Sequence, residues 1–515
     1  MSVLLGLDIG TTGAKTVLID PGGTVRASAT SEYPLLTPRP GWTEQDPARW
    51  WEAAVGSIRE ALDRAGVRGA EVAAVGLTGQ MHGLVALDGR GEVLRPAILW
   101  NDQRTGEECA WITERVGAAR VLALTGNPVL TGFTAPKLIW MRRHEPDRFA
   151  RIRTILLPKD YARLRLTGEM ASDVADASGT SLFDVRRRAW SGEMLEALDL
   201  PRAWLPDVVE SPERTGGVTE EAAEVTSLRA GTPVVGGAGD QAAGAVGTGT
   251  VEAGLLSVTI GTSGVVFAPL PAVQVDPQGR LHTFCHAVPG GWHVMGVMLS
   301  AGGSLRWLRD VLAAAAWRVS GDPYDAMTAE AAASPPGAEG LLFLPYLTGE
   351  RTPHADPAAR GAFVGLTLRH GQGHLTRAVM EGVAMGLRDA LEIMRTLNIP
   401  VTQVRISGGG ARSPLWRQIV ADLFAAEVVT VTPTEGAAYG AALLAGVGAG
   451  VFPTVAAACA TAVRATGSTR PDLDQIHRYD HLYRTYRALY PALRPSLHAL
   501  GESASGRSDQ SGGIP

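Results

Sequence analysis

The stretch LLGLDIGTTG, residues Leu4 to Gly13, recurs in related form as LLSVTIGTSG, residues Leu255 to Gly264. Each copy has a few apolar residues, then Ile-Gly-Thr, then a hydroxyl residue and a glycine. This pattern predicts a buried strand that enters a tight turn and continues into a second strand. Clustered backbone amides and hydroxyl groups in such a turn form a concavity that suits a phosphate. Two related turns therefore predict a duplicated domain whose halves face each other across a bound polyphosphate.

The two copies differ at one chemically important position. The first copy has Asp8 where the second has Thr259. Only the first copy can therefore place a carboxylate beside the phosphate, where it could hold a metal ion. The first turn lacks the GxGxxG spacing of dinucleotide-binding loops, and Lys15 is not preceded by the glycine of a Walker loop. A hairpin turn with a purely structural role would explain one copy, but the second copy argues against that explanation.

Length and composition favour two large domains and no binding of nucleic acid. The chain has 515 residues, too many for a single core, and the repeat predicts domains over residues 1–250 and 251–490. Apolar residues make up 45% of the chain and the net charge is −5, values typical of a soluble globular protein. From about Ser503 the chain is rich in Ser, Gly and Asp, so the tail over residues 491–515 is expected to be partly disordered.

The sequence predicts a cytoplasmic protein that does not enter a membrane. Its three cysteines form no CxxC pair, which fits a reducing compartment. No basic region precedes the first apolar residues, so no signal peptide is expected. The segment Gly436 to Val463 has no charged residue, but it is mostly Ala and Gly and contains Pro453. This composition predicts a buried small-residue helix followed by a loop.

Local patterns predict the elements that surround the two turns. Asp46 suits a helix N-cap, since Pro47 follows it at the first helical position. The other principal predictions are strands over Val72 to Leu77, Leu84 to Leu87 and Val404 to Ile406, helices over Leu375 to Leu397 and Leu415 to Ala425, and a largely helical region over 105–230. Polar residues follow several of these strands, as at the ligand-binding edge of open α/β sheets.

Asp240 is the strongest candidate for a general base. It follows the glycine-rich segment Gly236 to Gly239 at the end of a predicted strand. A carboxylate in this place can point towards a ligand and accept a proton from a substrate hydroxyl. The position also suits a helix N-cap, and the two roles are compatible.

Two further loops carry candidate ligand contacts. His82 lies in a polar loop bracketed by Gly79 and Gly83, where it can hydrogen-bond a polar ligand. Its neighbour Met81 is more typical of core packing than of a pocket wall. The run Gly408 to Gly410 before a predicted helix resembles a shelf for a nucleotide, although any strand-to-helix turn can use glycine.

The chain resembles the FGGY carbohydrate kinases, within the actin, Hsp70 and sugar-kinase superfold, over nearly its whole length. The segment GFTAPKLIWMRRH, Gly132 to His144, is similar to the family's first signature, and Gly361 to Glu381 is similar to its second. Several long motifs occur in the family's order. Within the family, GQMHG (Gly79 to Gly83), LWND (Leu99 to Asp102), LLPKDY and PYLTGERTPH look most like members that phosphorylate D-xylulose.

The resemblance implies an α/β fold of two actin-like (ribonuclease H-like) domains that close over a cleft. Residues 1–250 would form the sugar-binding domain and residues 251–490 the nucleotide-binding domain, with ATP and Mg2+ as cofactors. A sugar and ATP would be the partners of this protein. No nucleic acid or membrane is expected, and a homodimer is the family-level expectation.

The resemblance also implies roles for individual residues. Asp240 would be the base, and Asp8 would help to hold Mg2+ on the phosphates. Sugar contacts are implied for Met81, His82, Trp100, Asp240 and Gln241. Nucleotide contacts are implied for Thr11, Thr12, Lys15, Gly261, Thr262, Gly302, Arg306, Gly409, Gly410 and Ser413. Gln241 departs from the Asn that D-xylulose kinases commonly have, and Ser413 stands where glycerol kinases have Asn.

The predicted reaction is transfer of the γ-phosphoryl group of MgATP to O5 of D-xylulose, and two alternatives stay open. A kinase for ribulose, gluconate, glycerol or another polyol would share the phosphate motifs and differ at Met81, His82, Trp100 and Gln241. A non-catalytic ATP-switch protein of the actin or Hsp70 kind would keep both turns. It would have no reason to retain a base at Asp240.

Overall fold

The computed structural model describes residues 2–314 and 321–504. The strands are β1 (Val3–Ile9), β2 (Gly13–Ile19), β3 (Val25–Glu32), β4 (Glu44–Gln45), β5 (Val72–Gly79), β6 (Val85–Leu87), β7 (Ala97–Ile98), β8 (Thr154–Leu156), β9 (Ala171–Asp173), β10 (Phe183–Asp184), β11 (Ala189–Trp190), β12 (Asp207–Val209), β13 (Arg214–Gly217), β14 (Pro233–Val235), β15 (Ala238–Gly239), β16 (Gly254–Ile260), β17 (Gly264–Leu270), β18 (His282–Cys285), β19 (Trp292–Met298), β20 (Leu342–Leu344), β21 (Ala362–Val364), β22 (Val401–Ser407), β23 (Glu427–Thr432) and β24 (Arg464–Thr469).

The helices are α1 (Pro47–Ala65), α2 (Gly106–Val116), α3 (Ala118–Thr125), α4 (Thr134–His144), α5 (Pro146–Arg151), α6 (Pro158–Thr167), α7 (Val174–Ala177), α8 (Gly192–Ala197), α9 (Glu220–Thr226), α10 (Asp240–Gly247), α11 (Gly302–Ala314), α12 (Pro323–Ala333), α13 (Gln372–Thr396), α14 (Pro414–Phe424), α15 (Ala437–Gly448), α16 (Val455–Ala462) and α17 (Leu473–Ala504). Short 3-10 turns lie at Ser178–Thr180, Arg202–Trp204, Ala338–Gly340 and Gly409–Arg412.

The described chain forms two compact units. The first comprises residues 2–253, 269–294 and 432–464, and the second comprises 254–268, 295–314, 321–431 and 465–504. The predicted division into a sugar-binding domain over 1–250 and a nucleotide-binding domain over 251–490 stays a prediction. Residues 432–464, which fall within the predicted second domain, pack as part of the first unit.

The first unit is built on a mixed sheet with the strand order β13-β14-β5-β1-β2-β3, and β15 also pairs with β5. β1 runs antiparallel to β2 and parallel to β5. The apolar side chains of β1 are buried on both faces of the sheet and point alternately into two different cores, as expected for a strand covered on both faces. Leu5 and Leu7 belong to a core that includes Trp50 of α1, whereas Leu4 belongs to a core on the other face that includes Leu443 of α15.

Local signals place α1 as the sequence predicts. Asp46 accepts a hydrogen bond from the backbone amide of Ala48, Pro47 occupies the first helical position, and Gly66 ends the helix in the left-handed region with φ 62°. These groups satisfy orphan amides and carbonyls at the two ends of the helix. The cap and the glycine together confine the helix to the length that covers β2 and β3.

Helix α15 packs on the first sheet at unusually short range. A Cβ atom at Gly6 of β1 would lie 1.8 Å from the carbonyl oxygen of Ala438, and one at Gly76 of β5 would lie 1.9 Å from that of Ala441. A Cβ atom at Gly440 of α15 would likewise lie 1.8 Å from the carbonyl oxygen of Ala243 in α10. Glycine at these three positions therefore allows α15 to lie directly against β1, β5 and α10.

The second unit repeats the central pattern of the first. β16 runs antiparallel to β17 and parallel to β22, and β22 runs parallel to β23. The long helix α13 packs against α12, α14 and β20. Each half of the repeat is thus a strand, a tight turn and an antiparallel strand, with a later parallel strand beside the first. The predicted duplication is confirmed at the level of sheet topology.

The structure differs from the sequence predictions in two places. The region 105–230 contains α2 to α9 as expected, but also the short strands β8 to β13. The segment Gly436 to Val463 contains α15 and then a second helix, α16, where a loop was expected.

Residues 491–504, expected in a partly disordered tail, form the end of α17, and the rest of that predicted tail, 505–515, lies outside the described residues.

Within residues 2–314 and 321–504, no helix has the length and apolar character needed to span a bilayer.

Candidate active site

Asp8 and Asp240 lie at the same edge of the first sheet. Asp8 is opposite Thr78 in the parallel pairing of β1 with β5. On the other side of β5, Gly239 of β15 is opposite Gly79, and Asp240 follows as the first residue of α10. The fold therefore brings these two predicted carboxylates, 232 positions apart in the numbering, to the carboxyl-terminal ends of strands that flank β5.

The environment of both carboxyl groups favours the protonated form. Burial and, to a smaller extent, the negative charge of Asp240 together raise the pKa of Asp8 to about 7, against the opposing effect of Lys15. Burial raises the pKa of Asp240 to about 6, while hydrogen bonds from Gln241 oppose the shift. A carboxylate with a pKa near neutrality accepts a proton more readily than an ordinary aspartate.

The residues around Asp8 fit a bound magnesium ion. Its Oδ1 atom is buried and, within the described residues, has no hydrogen-bond partner, and the same holds for Oγ1 of Thr78. At the equivalent place in the second repeat, Thr259 is opposite Ser407, and their hydroxyl groups hydrogen-bond at 2.9 Å. The first repeat therefore leaves oxygen atoms open where the second repeat pairs them.

Magnesium also suits the number of carboxylates available. Mg2+ is usually held by one or two carboxylates together with substrate phosphates and water. In the part of the chain that the structure describes, no cluster of three or more His, Cys, Asp or Glu side chains could hold a metal ion. A site formed by Asp8 and a phosphate-bearing ligand agrees with both observations.

The hydroxyl group of Thr11 connects the first turn to two other elements. It accepts a hydrogen bond from Nε1 of Trp100 at 3.0 Å and lies 3.5 Å from Oε1 of Gln80. The backbone carbonyl of Thr11 accepts a hydrogen bond from Nε2 of Gln45 at 2.7 Å. Trp100, expected at the sugar, is therefore also tied to the predicted phosphate turn. Thr12, the next residue, is exposed to solvent.

Lys15 forms an ion pair that sequence spacing could not reveal. Its Nζ atom lies 2.6 Å from Oε2 of Glu435, which precedes α15. Both side chains are partly exposed, with 32% and 25% of their surface accessible. The role of Lys15 at a nucleotide phosphate stays a prediction, and it would require the ammonium group to act beside Glu435.

His82 is held in a defined orientation. Its backbone has φ 68°, a left-handed conformation that non-glycine residues seldom adopt. Its Nδ1 atom lies 2.6 Å from the carbonyl oxygen of Gly179, and its ring stacks on Phe133 with centroids 4.4 Å apart. The buried Lys137 donates a hydrogen bond of 2.9 Å to the carbonyl oxygen of His82. Backbone and ring are thus both fixed, as expected of a ligand-binding loop.

Met81 packs against the residue before Asp240, and Gln241 hydrogen-bonds Asp240 itself. A Cβ atom at Gly239 would lie only 2.7 Å from Cγ of Met81, so Met81 packs directly against the residue before the proposed base. Nε2 of Gln241 donates a hydrogen bond of 3.4 Å to Oδ1 of Asp240. The predicted sugar-side residues Met81, His82, Gln241 and Asp240 therefore belong to adjoining segments of the first unit.

The predicted nucleotide residues of the second unit line one cavity of about 690 Å³. Its walls include Gly261, Thr262, Gly302, Arg306, Gly409, Gly410 and Ser413. A cavity of this size is within the range of small-molecule sites. The other three predicted nucleotide residues, Thr11, Thr12 and Lys15, belong to the first unit.

The second turn and the start of α11 are packed together by their backbones. The amide of Gly302 donates to the carbonyl oxygen of Gly261 at 2.7 Å, and the amides of Ala301 and Gly303 donate to that of Thr262. A Cβ atom at Gly302 would lie 2.5 Å from the carbonyl oxygen of Gly261. Only glycine fits at residue 302 in this arrangement. The second turn is therefore braced against the first turn of a helix, where anions bind favourably.

Ser413 has a structural role that we did not predict, although Ser413-Pro414 is the same kind of helix start as Asp46-Pro47. Its hydroxyl group accepts a hydrogen bond of 3.2 Å from the backbone amide of Trp416 and caps α14. Pro414 follows it at the first helical position. The expected nucleotide contact of Ser413 stays a prediction, since the hydroxyl group already serves as an N-cap.

Sequence reasoning missed several residues at these two sites. Gln45 and Gln80 support the first turn, and Tyr324 and Asp325 line the cavity of the second unit. Gln80 lies within the GQMHG motif, so its position was available from the sequence. For the part of the cavity wall formed by α12, the sequence offers only Asp322 before Pro323. This pair is a common helix start and gives no information on function.

Two sheet units that each carry a strand, a tight turn and an antiparallel strand, with two carboxylates at one sheet edge, agree with the carbohydrate-kinase class that the sequence predicts. The model of the FGGY family of carbohydrate kinases, N-terminal domain, matches residues 3–247, and that of the C-terminal domain matches residues 256–449. The chain belongs to this family.

Individual relatives agree with the family match. The chain is 43% identical to the xylulose kinase of Escherichia coli over 96% of this chain and 99% of the relative. It is 32% identical to a gluconokinase of Bacillus subtilis over 86% of this chain and 87% of the relative. The crystal structure of xylulose kinase from Rhodospirillum rubrum is similar with a TM-score of 0.89 and 35% identity, covering 96% of this chain and all of that one.

Proposed function

We propose that this protein phosphorylates D-xylulose at O5 with ATP as the phosphoryl donor. The observation that carries the proposal is the position of Asp240 beside Met81 and Gln241 at the strand edge that also bears Asp8. The similarity to a xylulose kinase over nearly the whole chain supports D-xylulose as the acceptor. A cytoplasmic location and a homodimer stay predictions.

Asp240 would act as the general base. Its carboxylate would accept the proton of the sugar hydroxyl as that oxygen attacks the γ-phosphorus in line. A pKa of about 6 leaves the carboxylate mostly ionised at neutral pH and more basic than an exposed aspartate. The hydrogen bond from Gln241 would fix which carboxylate oxygen faces the substrate.

Asp8 would hold Mg2+ on the phosphates, which would neutralise charge on the oxygens of the transferred group. The unpaired Oδ1 atom of Asp8 and the unpaired hydroxyl of Thr78, both judged over the described residues, support this assignment. The hydroxyl groups and amides of Thr11 and Thr12 in the first turn would add hydrogen bonds to the phosphate oxygens.

On the sugar side, His82 and Trp100 would orient the ketose and Met81 would form an apolar wall. The bond from His82 to Gly179 and its stacking on Phe133 fix the imidazole before a sugar arrives. Preorganised contacts of this kind reduce the entropy lost when a small polar ligand binds. The nucleotide would occupy the cavity of the second unit, lined by Gly302, Arg306 and Gly409.

The other sugars remain the first competitors for the acceptor. The gluconokinase relative makes gluconate one of the sugars to test. A kinase for another sugar would retain Asp8 and Asp240. It would differ in the sugar that is bound by Met81, His82, Trp100 and Gln241. An ATP-switch protein would show no sugar-dependent release of ADP.

The experiment that tests the proposal is coupled measurement of ADP release from MgATP with D-xylulose, D-ribulose, L-ribulose, glycerol and gluconate. We expect clear preference for D-xylulose and formation of a product that carries phosphate on O5. Preference for another sugar would overturn the assignment of the acceptor and leave the kinase chemistry intact. No activity on any sugar by a protein that binds ADP would overturn the kinase proposal.

A further inference from the structure

Five charged side chains of the first unit are fully buried in one place, which we call the buried charge cluster. They are Lys159, Asp160 and Arg163 of α6, Asp173 at the end of β9 and Asp176 of α7. Nζ of Lys159 lies 2.6 Å from a carboxylate oxygen of Asp160, 2.6 Å from one of Asp173 and 3.4 Å from one of Asp176. Each of these side chains has 0% exposure.

A contribution to stability does not explain the buried charge cluster. Moving ions out of water costs several kcal/mol each, and apolar residues of similar volume often replace a buried ion pair without loss. Burial raises the pKa of Asp176 well above its ordinary value, against the effect of Lys159. Burial likewise raises the pKa of Asp173, against the effect of Lys159. The cluster is therefore costly to bury, and its geometric consequences are informative.

Arg163 ties α6 to the segment that carries the proposed base. One guanidinium nitrogen donates to the carbonyl oxygen of Ala171 and to Oδ1 of Asp160, both at 2.6 Å. The other terminal nitrogen donates to the carbonyl oxygen of Gly236. From Gly236 the chain continues through β15 directly to Asp240. The planar fork of Arg163 thus fixes the start of the five-residue segment from Gly236 to Asp240, which ends at the proposed base.

Lys159 ties the same helix to the partner of His82. Its ion pair with Asp173 holds the carboxylate that caps α7, since Oδ1 of Asp173 accepts from the amides of Ala175 and Asp176 at 2.8 Å and 3.2 Å. Helix α7 leads into the turn that contains Gly179. The carbonyl oxygen of Gly179 is the atom 2.6 Å from Nδ1 of His82.

We infer that Arg163 and Lys159 are positioning residues that set Asp240 and His82 relative to each other for the sugar. Both side chains belong to neighbouring turns of α6, so this one helix fixes the positions of both the proposed base and the imidazole. The inference rests on the proposed function, in which these two side chains act on the same substrate. Neither cation is assigned a contact with sugar or nucleotide.

The principal test is the charge-conserving change Arg163→Lys, which keeps the cation and removes the fork. A matched control is Arg165→Lys on the same helix, because Arg165 is exposed. Among the described residues, its side chain makes a long hydrogen bond of 3.4 Å to Tyr161 and lies over the ring of Trp51 at 5.3 Å. We expect Arg163→Lys to lower kcat/KM for D-xylulose by at least about tenfold, since small displacements of catalytic groups cost up to about 10²-fold. We expect Arg165→Lys to match the wild type.

The second variant, Asp173→Asn, changes almost no side-chain volume. It keeps the inference testable if Arg163→Lys does not fold. Asn caps helices as well as Asp, so α7 keeps its cap while the attraction to Lys159 is lost. We expect the KM for D-xylulose to rise by about threefold or more, because His82 loses a fixed partner, whereas the Kd for ADP stays unchanged. Circular dichroism and the stoichiometry of ADP binding report the folded fraction of each variant.

The outcomes separate positioning from a structural role. A raised KM for D-xylulose with unchanged ADP affinity and full ADP stoichiometry supports the inference. If the rate falls in proportion to the ADP-binding stoichiometry and the KM for D-xylulose is unchanged, the variant has merely lost folded protein, and the inference is overturned. Wild-type activity on D-xylulose together with unaffected variants overturns the inference alone, whereas a wild type that phosphorylates no sugar overturns the proposed function as well.

Discussion

Asp8 and Asp240 flank the same strand, and the charge of one raises the pKa of the other. Asp8 is opposite Thr78, and Asp240 comes one residue after the partner of Gly79. The surroundings of the two carboxylates differ in a way that agrees with the different roles we propose for them. Among the described residues, Oδ1 of Asp8 has no hydrogen-bond partner, whereas Oδ1 of Asp240 accepts a hydrogen bond from Gln241.

The rate of sugar phosphorylation should depend on one ionisation of Asp240. The base works only when deprotonated, so kcat/KM for D-xylulose should rise with pH, level off above about pH 6, and fall about tenfold per unit below it. Initial rates between pH 5 and 9 at saturating MgATP measure this profile. A midpoint near pH 4 would mean that Asp240 is not desolvated as described.

Replacing the base should stabilise the folded protein at alkaline pH. The pKa of Asp240 is higher in the folded state than the unfolded value of 3.8, so wild-type stability falls as pH rises from about 4 to about 6 and stays reduced above that. Two pKa units correspond to about 2.7 kcal/mol, and partial exposure of Asp240 reduces this to about 1–2 kcal/mol. We expect Asp240→Asn to have a higher Tm than the wild type at pH 8.

The comparison of Tm values needs two references. At pH 5 the advantage of Asp240→Asn should be smaller, because much of the wild-type side chain is then protonated. The exchange Asp207→Asn, at a side chain with 96% exposure, should leave Tm unchanged at both pH values. Equal Tm values for Asp240→Asn and wild type at pH 8 would contradict a raised pKa of Asp240 in the folded protein.

His82 should affect the sugar more than the nucleotide. The residue has φ 68°, and Asn tolerates this left-handed conformation better than most residues do. His82→Asn therefore removes the imidazole with little backbone strain, whereas His82→Ala adds strain to the same loss. We expect both variants to raise the KM for D-xylulose by about tenfold and to leave the KM for ATP within about twofold. An equal rise in both KM values would place His82 elsewhere.

Two glycines that line the cavity of the second unit should respond differently to alanine. A Cβ atom at Gly302 would lie 2.5 Å from the carbonyl oxygen of Gly261, whereas one at Gly409 would have no heavy atom within 4 Å. Gly302→Ala should therefore lower Tm and raise the KM for ATP by about tenfold, through distortion of the second turn. Gly409→Ala should keep the wild-type Tm, so any rise in its KM for ATP reports a ligand beside this residue. A normal Tm and KM for Gly302→Ala would disprove the described packing.

Ser413→Ala should change stability and leave nucleotide binding nearly intact. Its hydroxyl group caps α14 through the amide of Trp416, and loss of such a cap costs about 1 kcal/mol. We expect a lower Tm with the KM for ATP within about twofold of the wild type. Ser413→Asn, which also caps helices, should restore the Tm. A large rise in the KM for ATP with an unchanged Tm would instead support the nucleotide contact implied by resemblance.

Sequence patterns predicted best where neighbouring residues decide the structure. The two turns, the helix start at Asp46-Pro47 and the position of Asp240 at a strand end all follow from local backbone preferences. These features sufficed to predict a duplicated domain and the place of Asp240 at the end of a strand. The shared edge of Asp8 and Asp240 follows only from the strand order of the sheet. Helix α16 was missed because its Ala-rich sequence follows Pro453 and lacks the polar periodicity of a surface helix.

Partners that are distant in the chain could not be predicted. Lys15 pairs with Glu435, and Trp100 donates to Thr11, because the fold brings separate segments together. The hydroxyl of Ser413 looks the same in sequence whether it caps a helix or contacts a base. The burial of Lys159 with three aspartates depends on the packing of α6 against β9 and α7, which no single-sequence pattern encodes.

The close contact of α15 with Gly6 and Gly76 has a consequence for biosynthesis. The strands of the first unit emerge early from the ribosome, but the helices that cover one face of its sheet come from residues 432–464. Until that segment is translated, the apolar face that includes Leu4 lacks the cover of α15, and exposed sheet surface of this kind promotes aggregation. The nascent chain therefore has to protect its oldest strands while more than three hundred later residues are added.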